Sequence, residues 1–185
     1  PRLTKLPRIG AVIFDIYGTL VVSGSGDIGV AESLNSAESF AAAAEALALP
    51  ADPAAGQEAT DAYLATIHAD HAAARDAGRA HPEVEIREIW RLVIEQLAAE
   101  GKIAEAGIDA ELLEQLAVEY ECRVNPVWPM PAAEGTLDTL AGRVGLGIVS
   151  NAQFFTPLIF DALLERSLGE LGFEPALCSY SFAVG

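Results

Sequence analysis

The residues best placed to do chemistry sit in two short strings, Asp15-Ile16-Tyr17-Gly18-Thr19 and Ser150-Asn151. Each ends an apolar run. Ala11, Val12, Ile13 and Phe14 show no alternation, which reads as a parallel strand buried on both faces, with Asp15 at its carboxyl end. Open α/β sheets bind ligands at that edge, and Gly18 permits a tight turn that brings backbone N–H groups close to an anion. An Asp after a strand can also simply cap a turn. Val144 to Val149 form a second apolar run, and Ser150 and Asn151 end it with a hydroxyl and an amide.

Other constellations offer less. His68 and His71 lie three apart with Asp70 between them, a spacing compatible with a shared metal, but no third ligand is evident and a surface pair on an alanine-rich helix fits equally. Ser23-Gly24-Ser25-Gly26 lacks the spacing of a phosphate-cradling loop and reads as a hinge. Arg75 and Arg79 read as solvated surface, and Trp90 and Trp128 as packing residues.

The elements that position these residues follow from periodicity. Residues 1–10 are a polar, basic lead-in, and Val21 and Val22 form a short strand. From Asp27 to Asn125 the pattern is helical: 31–49 ending at Pro50, then a loop marked by Pro53 and Gly56, then 58–77 stopped by Gly78. Ile86, Ile89, Trp90, Val93, Ile94 and Leu97 form the clearest helical stripe, and Asp109 caps a fourth helix carrying Leu112, Leu113, Leu116 and Tyr120. Residues 125–131, with three prolines, cannot be helical and read as a semi-rigid return hinge. A helix over 135–141 leads to the strand at 144–149. Thr156 caps the next helix, with Pro157 at its first position and Phe160, Leu163, Leu164, Ser167, Leu168 and Leu171 as its stripe, closed by Gly172. Ala176 to Ser179 form the last strand, which makes a parallel crossover unit.

The chain is therefore read as α/β, a parallel sheet core (1–24 and 132–185) interrupted by a helical bundle with hinges (25–131). Eleven basic residues against 27 acidic ones give a formal net charge of −16, which repels nucleic acid and anionic membrane surfaces. An anionic substrate would then need a local positive source. There is no apolar run of transmembrane length and no secretory signal pattern. Cys122 and Cys178 follow no metal-ligand spacing and indicate a reducing compartment, with the cytoplasm as the expected location.

Phe14-Asp15-x-Tyr17-Gly18-Thr19-Leu20 after a hydrophobic strand resembles the first motif of the haloacid dehalogenase-like (HAD) hydrolases, and Gly147-Ile148-Val149-Ser150-Asn151 resembles their second. The helical insertion between them resembles the family's cap. The resemblance implies a Rossmann-like core, Asp15 as a nucleophile that forms a covalent aspartyl intermediate, and Ser150 as the holder of the substrate's anionic group. It also implies Mg²⁺ bound by the Asp15 carboxylate and the Tyr17 backbone carbonyl, with Tyr17, Thr19 and Asn151 beside the substrate.

Two departures keep three functions open. Family phosphatases carry a second Asp where this chain has Tyr17, and a phenol with an ordinary pKa near 10 is a poor proton shuttle for an alcohol leaving group. Tyr at that position is characteristic of the 2-haloacid dehalogenases, which need no metal, but their Arg-Gln-x-Glu-Tyr stretch early in the cap is missing, with no Arg between Arg8 and Arg75. The chain also stops at Phe182-Ala183-Val184-Gly185, where the family's Gly-x-x-Lys-Pro segment would begin, and Lys5 and Lys102 do not replace that lysine. The expectation is a portion of a longer protein, with Asp15's strand left as an apolar edge open to homodimer pairing. The leading reading is a hydrolase acting on a small phosphorylated metabolite. The alternatives are a 2-haloacid dehalogenase and a non-catalytic HAD-like domain that works through binding.

Overall fold

A computed structural model describes residues 8–24, 36–49, 51–52, 55–104 and 108–184. The lead-in at 1–7, Ser25 and Gly26 of the glycine-rich stretch, the first residues of the 31–49 helix, Pro50 and Pro53 lie outside the described residues. The chain is α/β and divides into two compact units, residues 1–26 with 127–184, and residues 27–126.

The first unit is built on a three-stranded parallel sheet. β1 (Ala11–Phe14) pairs with β4 (Gly145–Ser150), which pairs with β5 (Phe173–Tyr180), so the order is β1-β4-β5. Leu146, Ile148 and Phe173 are buried on one face against Leu137 of α5 (Ala133–Leu140) and Phe160 of α6 (Ile159–Leu164), with Val12 and Phe14 packed onto the same cluster. The other face is open. Ile13 is 50% exposed and Val149 59%. The expectation that β1 is buried on both faces is therefore overturned: it is an edge strand with, among the described residues of this unit, helices packed over one face, and apolarity alone does not reveal which face is covered.

Gly147 lies opposite Ile13 with no room for a side chain. A Cβ there would lie 2.4 Å from the Leu177 carbonyl oxygen and 2.6 Å from the Ile13 Cδ1, so only glycine lets β1 and β5 close over β4.

A second sheet was not legible in advance. β2 (Val21–Ser23) and β3 (Val127–Pro129) form an antiparallel ribbon, with Val22 opposite Trp128. The proline-punctuated segment is extended, as its composition requires, but it is a ladder partner as well as a connection. Trp128 is 53% exposed, which corrects its reading as a packed residue: β3 contributes only three residues to a two-stranded ribbon, and pleating turns Trp128 outward.

The second unit holds α1 (Ser36–Ala46), α2 (Ala55–Asp76), α3 (Ile86–Ala99) and α4 (Ala110–Val124). All six residues of the α3 stripe are buried, and Asp109 caps α4 by accepting the Leu112 N–H at 2.9 Å. Trp90 is 1% exposed at the centre of an aromatic cluster, with Tyr63, Tyr120 and Phe40 ring centroids at 4.8, 4.9 and 5.8 Å. Gly56 lies inside α2 and not in a loop. A Cβ on it would lie 2.6 Å from the Ala37 carbonyl oxygen, so this glycine permits the close approach of α1 and α2. Lys102 pairs with Glu58 at 2.7 Å, and its carbonyl accepts the Asp52 N–H at 2.8 Å, which ties two connections together.

The helix expected from Thr156 to Leu171 is shorter. A 3-10 turn at Thr156–Leu158 precedes α6, which ends at Glu165 in a left-handed conformation with φ 54°. Ser167 explains the stop: its N–H and hydroxyl both donate to the Glu170 carboxylate, at 2.8 and 2.7 Å, and such local bonds compete with helix propagation. α7 (Ser181–Val184) is a single turn after β5.

Candidate active site

Parallel pairing sets Phe14 of β1 beside Ile148 of β4. Asp15 and Ser150 consequently end neighbouring strands at the same, carboxyl, edge of the sheet. That edge is where the twisted parallel sheet leaves a crevice for ligands. The Asp15 side chain is exposed, Thr19 and Asn151 are exposed, Tyr17 is half-buried and Ser150 is buried. Four of the five residues singled out from sequence thus belong to the loops that leave β1 and β4, and Ser150 is the last residue of β4.

The loop after β1 is held from within. Ile16 is fully buried, and its carbonyl accepts the N–H groups of Thr19, Leu20 and Val21 at 3.1, 2.8 and 3.0 Å. Gly18, at φ +80°, donates its N–H to the Val21 carbonyl at 2.8 Å. This corrects one expectation: the Gly18 turn is tight, but the N–H groups of residues 18–21 point at loop carbonyls and not toward an anion. Leu20 and Met130 add an anchor, with the Met130 N–H donating to the Leu20 carbonyl at 2.9 Å.

Hydroxyl groups then join the three loops of this edge. The Tyr17 hydroxyl lies 3.1 Å from Thr156 Oγ1, linking the β1 loop to the segment after β4. The Ala152 N–H donates to Ser181 Oγ at 2.9 Å, and Ser181 Oγ reaches the Ala152 carbonyl at 3.3 Å, linking that segment to the end of β5. Thr156 Oγ1 accepts the Gln153 N–H at 3.0 Å, while the Thr156 N–H donates to the Gln153 carbonyl at 2.9 Å. Thr156 does not cap the following helix with its side chain, as its position before Pro157 suggested; Phe155 stands at the cap without a side-chain bond. Gln153, Thr156 and Ser181 are the site residues that sequence reasoning missed. Gln153 and Thr156 are marked by burial and Ser181 by its bonds to Ala152, and neither is written in a single sequence.

The electrostatics of the edge are unusual for an anion site. The described cations of this unit are Arg8, Arg143 and Arg166. Arg8 and Arg143 precede β1 and β4, at the opposite edge of the sheet. Arg166 is paired with Asp138 at 2.9 Å and Glu134 at 3.3 Å, and these hydrogen bonds raise its pKa. No described cation of this unit therefore belongs to the loops at Asp15's edge. Ser150 donates its hydroxyl proton to the Asn151 carbonyl at 3.2 Å, which leaves its oxygen lone pairs facing outward from that bond.

Metal ligands are sparse. Among the described residues no group of three or more His, Cys, Asp or Glu could hold a metal ion. His68 is exposed and His71 half-buried on α2, and Arg75 is exposed at the end of that helix. No helix among the described residues is long and apolar enough to cross a membrane. In comparisons with known proteins, the chain matches no family model and no curated protein.

Proposed function

We propose that the chain is a HAD-like hydrolase domain: a Rossmann-like core made by the sheet unit, a cap made by the helical unit, and Asp15 as the nucleophile. The observation that carries this reading is the register that sets Asp15 and Ser150 at the carboxyl ends of adjacent parallel strands. An exposed carboxylate beside a buried hydroxyl suits attack on an anionic substrate held at the same edge.

On a phosphorylated metabolite, an Asp15 oxygen bonds to phosphorus as the ester P–O bond breaks. The alkoxide takes a proton from solvent, and water then cleaves the aspartyl phosphate to restore the carboxylate and release phosphate. Tyr17, Thr19 and Asn151 orient the substrate. Mg²⁺ would supply the missing positive charge in this chemistry. The described donors amount to the Asp15 carboxylate and the Tyr17 carbonyl, which is short of a metal site, so no step is routed through it. The cytoplasmic location belongs to the same reading, and the two cysteines are free thiols.

A second reading is favoured by one observation. The Tyr17 hydroxyl is bonded to Thr156, a poor arrangement for shuttling protons to an alkoxide. Halide leaves without a proton, so a 2-haloacid dehalogenase would tolerate it. A third, non-catalytic domain would act by binding.

The test is turnover by the intact protein of p-nitrophenyl phosphate and of 2-chloropropionate, with and without EDTA. Phosphate release that EDTA abolishes and Asp15→Asn reduces by roughly 10⁴-fold supports the phosphatase form. Chloride release that survives EDTA selects the dehalogenase. Full turnover by Asp15→Asn overturns the mechanism.

A further inference from the structure

Ser150 ends β4 with a buried side chain, and the peptide unit that joins Asn151 to Ala152 just beyond it is held at both ends. Its carbonyl, on Asn151, accepts the Ser150 hydroxyl at 3.2 Å, and its N–H, on Ala152, donates to Ser181 Oγ at 2.9 Å. A peptide unit is a rigid plane, so a bond at each end fixes its orientation. Ser181 Oγ also donates to the Ala152 carbonyl at 3.3 Å, which holds the next plane with the same hydroxyl. Ala152 is 2% exposed, so both of its backbone groups need partners, and the end of β5 supplies them. The bond from Ser150 is long for two oxygens, which makes it easy to exchange for one to a charged acceptor.

We propose that Ser181 is a positioning residue: through the Asn151–Ala152 peptide it sets the Ser150 hydroxyl at the sheet edge that Asp15 shares, ready for the anionic group of a substrate. This rests on the hydrolase reading above and deepens it. Ser181 spends its one proton on Ala152 and acts through Ser150 without touching the substrate itself. With the peptide plane held, the Ser150 oxygen keeps its place while its proton swings from the Asn151 carbonyl to the arriving anion, trading a long neutral bond for a charge-assisted one. Little ordering then remains to be done on binding. Without the Ser181 hydroxyl the buried Ala152 N–H loses its acceptor, and the plane turns to find another, taking the Asn151 carbonyl away from Ser150.

The experiment is a double-mutant cycle on the intact protein, with Ser181→Ala and Ser150→Ala singly and together, and Ser181→Thr as the conservative variant that keeps the hydroxyl. The readouts are the dissociation constant of inorganic phosphate by calorimetry, and KM and kcat on the substrate turned over. Ser181→Ala should weaken phosphate binding and raise KM by about 3- to 10-fold, with kcat changed less. Ser181→Thr should restore both, and Ser181→Ala should add nothing in the Ser150→Ala background. If Ser181→Ala does not fold, Ser181→Cys, a weaker donor and acceptor, takes its place in the cycle. Unchanged phosphate affinity in the Ser181 variants, or an equal loss with and without Ser150→Ala, overturns the proposal while leaving the hydrolase reading intact. Turnover retained by Asp15→Asn overturns the hydrolase reading while the phosphate cycle still decides the role of Ser181. A protein that binds no phosphate and turns over neither substrate overturns both.

Discussion

The helical unit and the sheet unit use apolar residues to different ends. In the helical unit rings from the three other helices surround Trp90 of α3, and every residue of the α3 stripe is buried. In the sheet unit only one face of the parallel sheet is covered, and Ile13 and Val149 remain half or more exposed on the other. The first unit closes on itself; the second leaves a face, a strand edge and a row of polar loop residues accessible. The difference teaches that packing quality and chemical suitability separate in this chain: among the described residues, the better-packed unit carries no group of three or more His, Cys, Asp or Glu that could hold a metal ion, and the candidate nucleophile sits on the more open one.

The comparison breaks if core truncation is equally mild in both units. Trp90→Ala should destabilise the helical unit by about 3–5 kcal/mol, whereas Val149→Ala on the open face should change stability by about 0.5 kcal/mol or less. Urea unfolding followed by circular dichroism reads both. Similar midpoints for the two variants would mean that the exposed face is covered in solution.

Glycine substitutions sharpen it. Gly56→Ala and Gly147→Ala each place a Cβ within 2.6 Å of a backbone oxygen, and each should cost about 1–3 kcal/mol. Gly135 of α5 has nothing within 4 Å of the added Cβ, so Gly135→Ala should be neutral or stabilising by about 0.5–1 kcal/mol. Thermal midpoints of the three variants check the order.

The smallest effect concerns pH. Burial raises the pKa of Glu121, and the 2.9 Å bond from the Asn125 amide only partly opposes this. The folded protein therefore holds the proton where the unfolded chain has lost it. That stability is complete below the unfolded carboxylate value, about 4.3, and is lost as pH rises through the folded one. Glu121→Gln should flatten this part of the stability profile and raise stability near neutral pH. A midpoint-against-pH curve parallel to that of the unsubstituted protein would refute the assignment.

Much of the helical unit was legible in the sequence, because a 3.6-residue stripe such as Ile86 to Leu97 reports both the element and its buried face. The strands were legible as elements, but not their cover: four apolar residues in β1 look alike whether a helix lies over them or not. Gly56 was misread because glycine punctuates loops and also permits close helix packing, and only the neighbour, Ala37, distinguishes the two. The end of α6 was hidden for a related reason, since the Ser167 and Glu170 bonds win over an unbroken apolar stripe. At the site, Asp15, Tyr17 and Ser150 could be named from local strings. Thr156 could not, because its partner is 139 residues away and its position before a proline offered a simpler role.

The two tryptophans fall one to each unit, Trp90 sealed among aromatic rings and Trp128 turned outward on the β2–β3 ribbon. Nature has thereby supplied two optical probes with separable signals. Indole emission from Trp90 is shielded from aqueous quenchers such as iodide, and that from Trp128 is open to them. A single quenching titration along an unfolding curve can then reveal whether the two units melt together or apart, with no label attached.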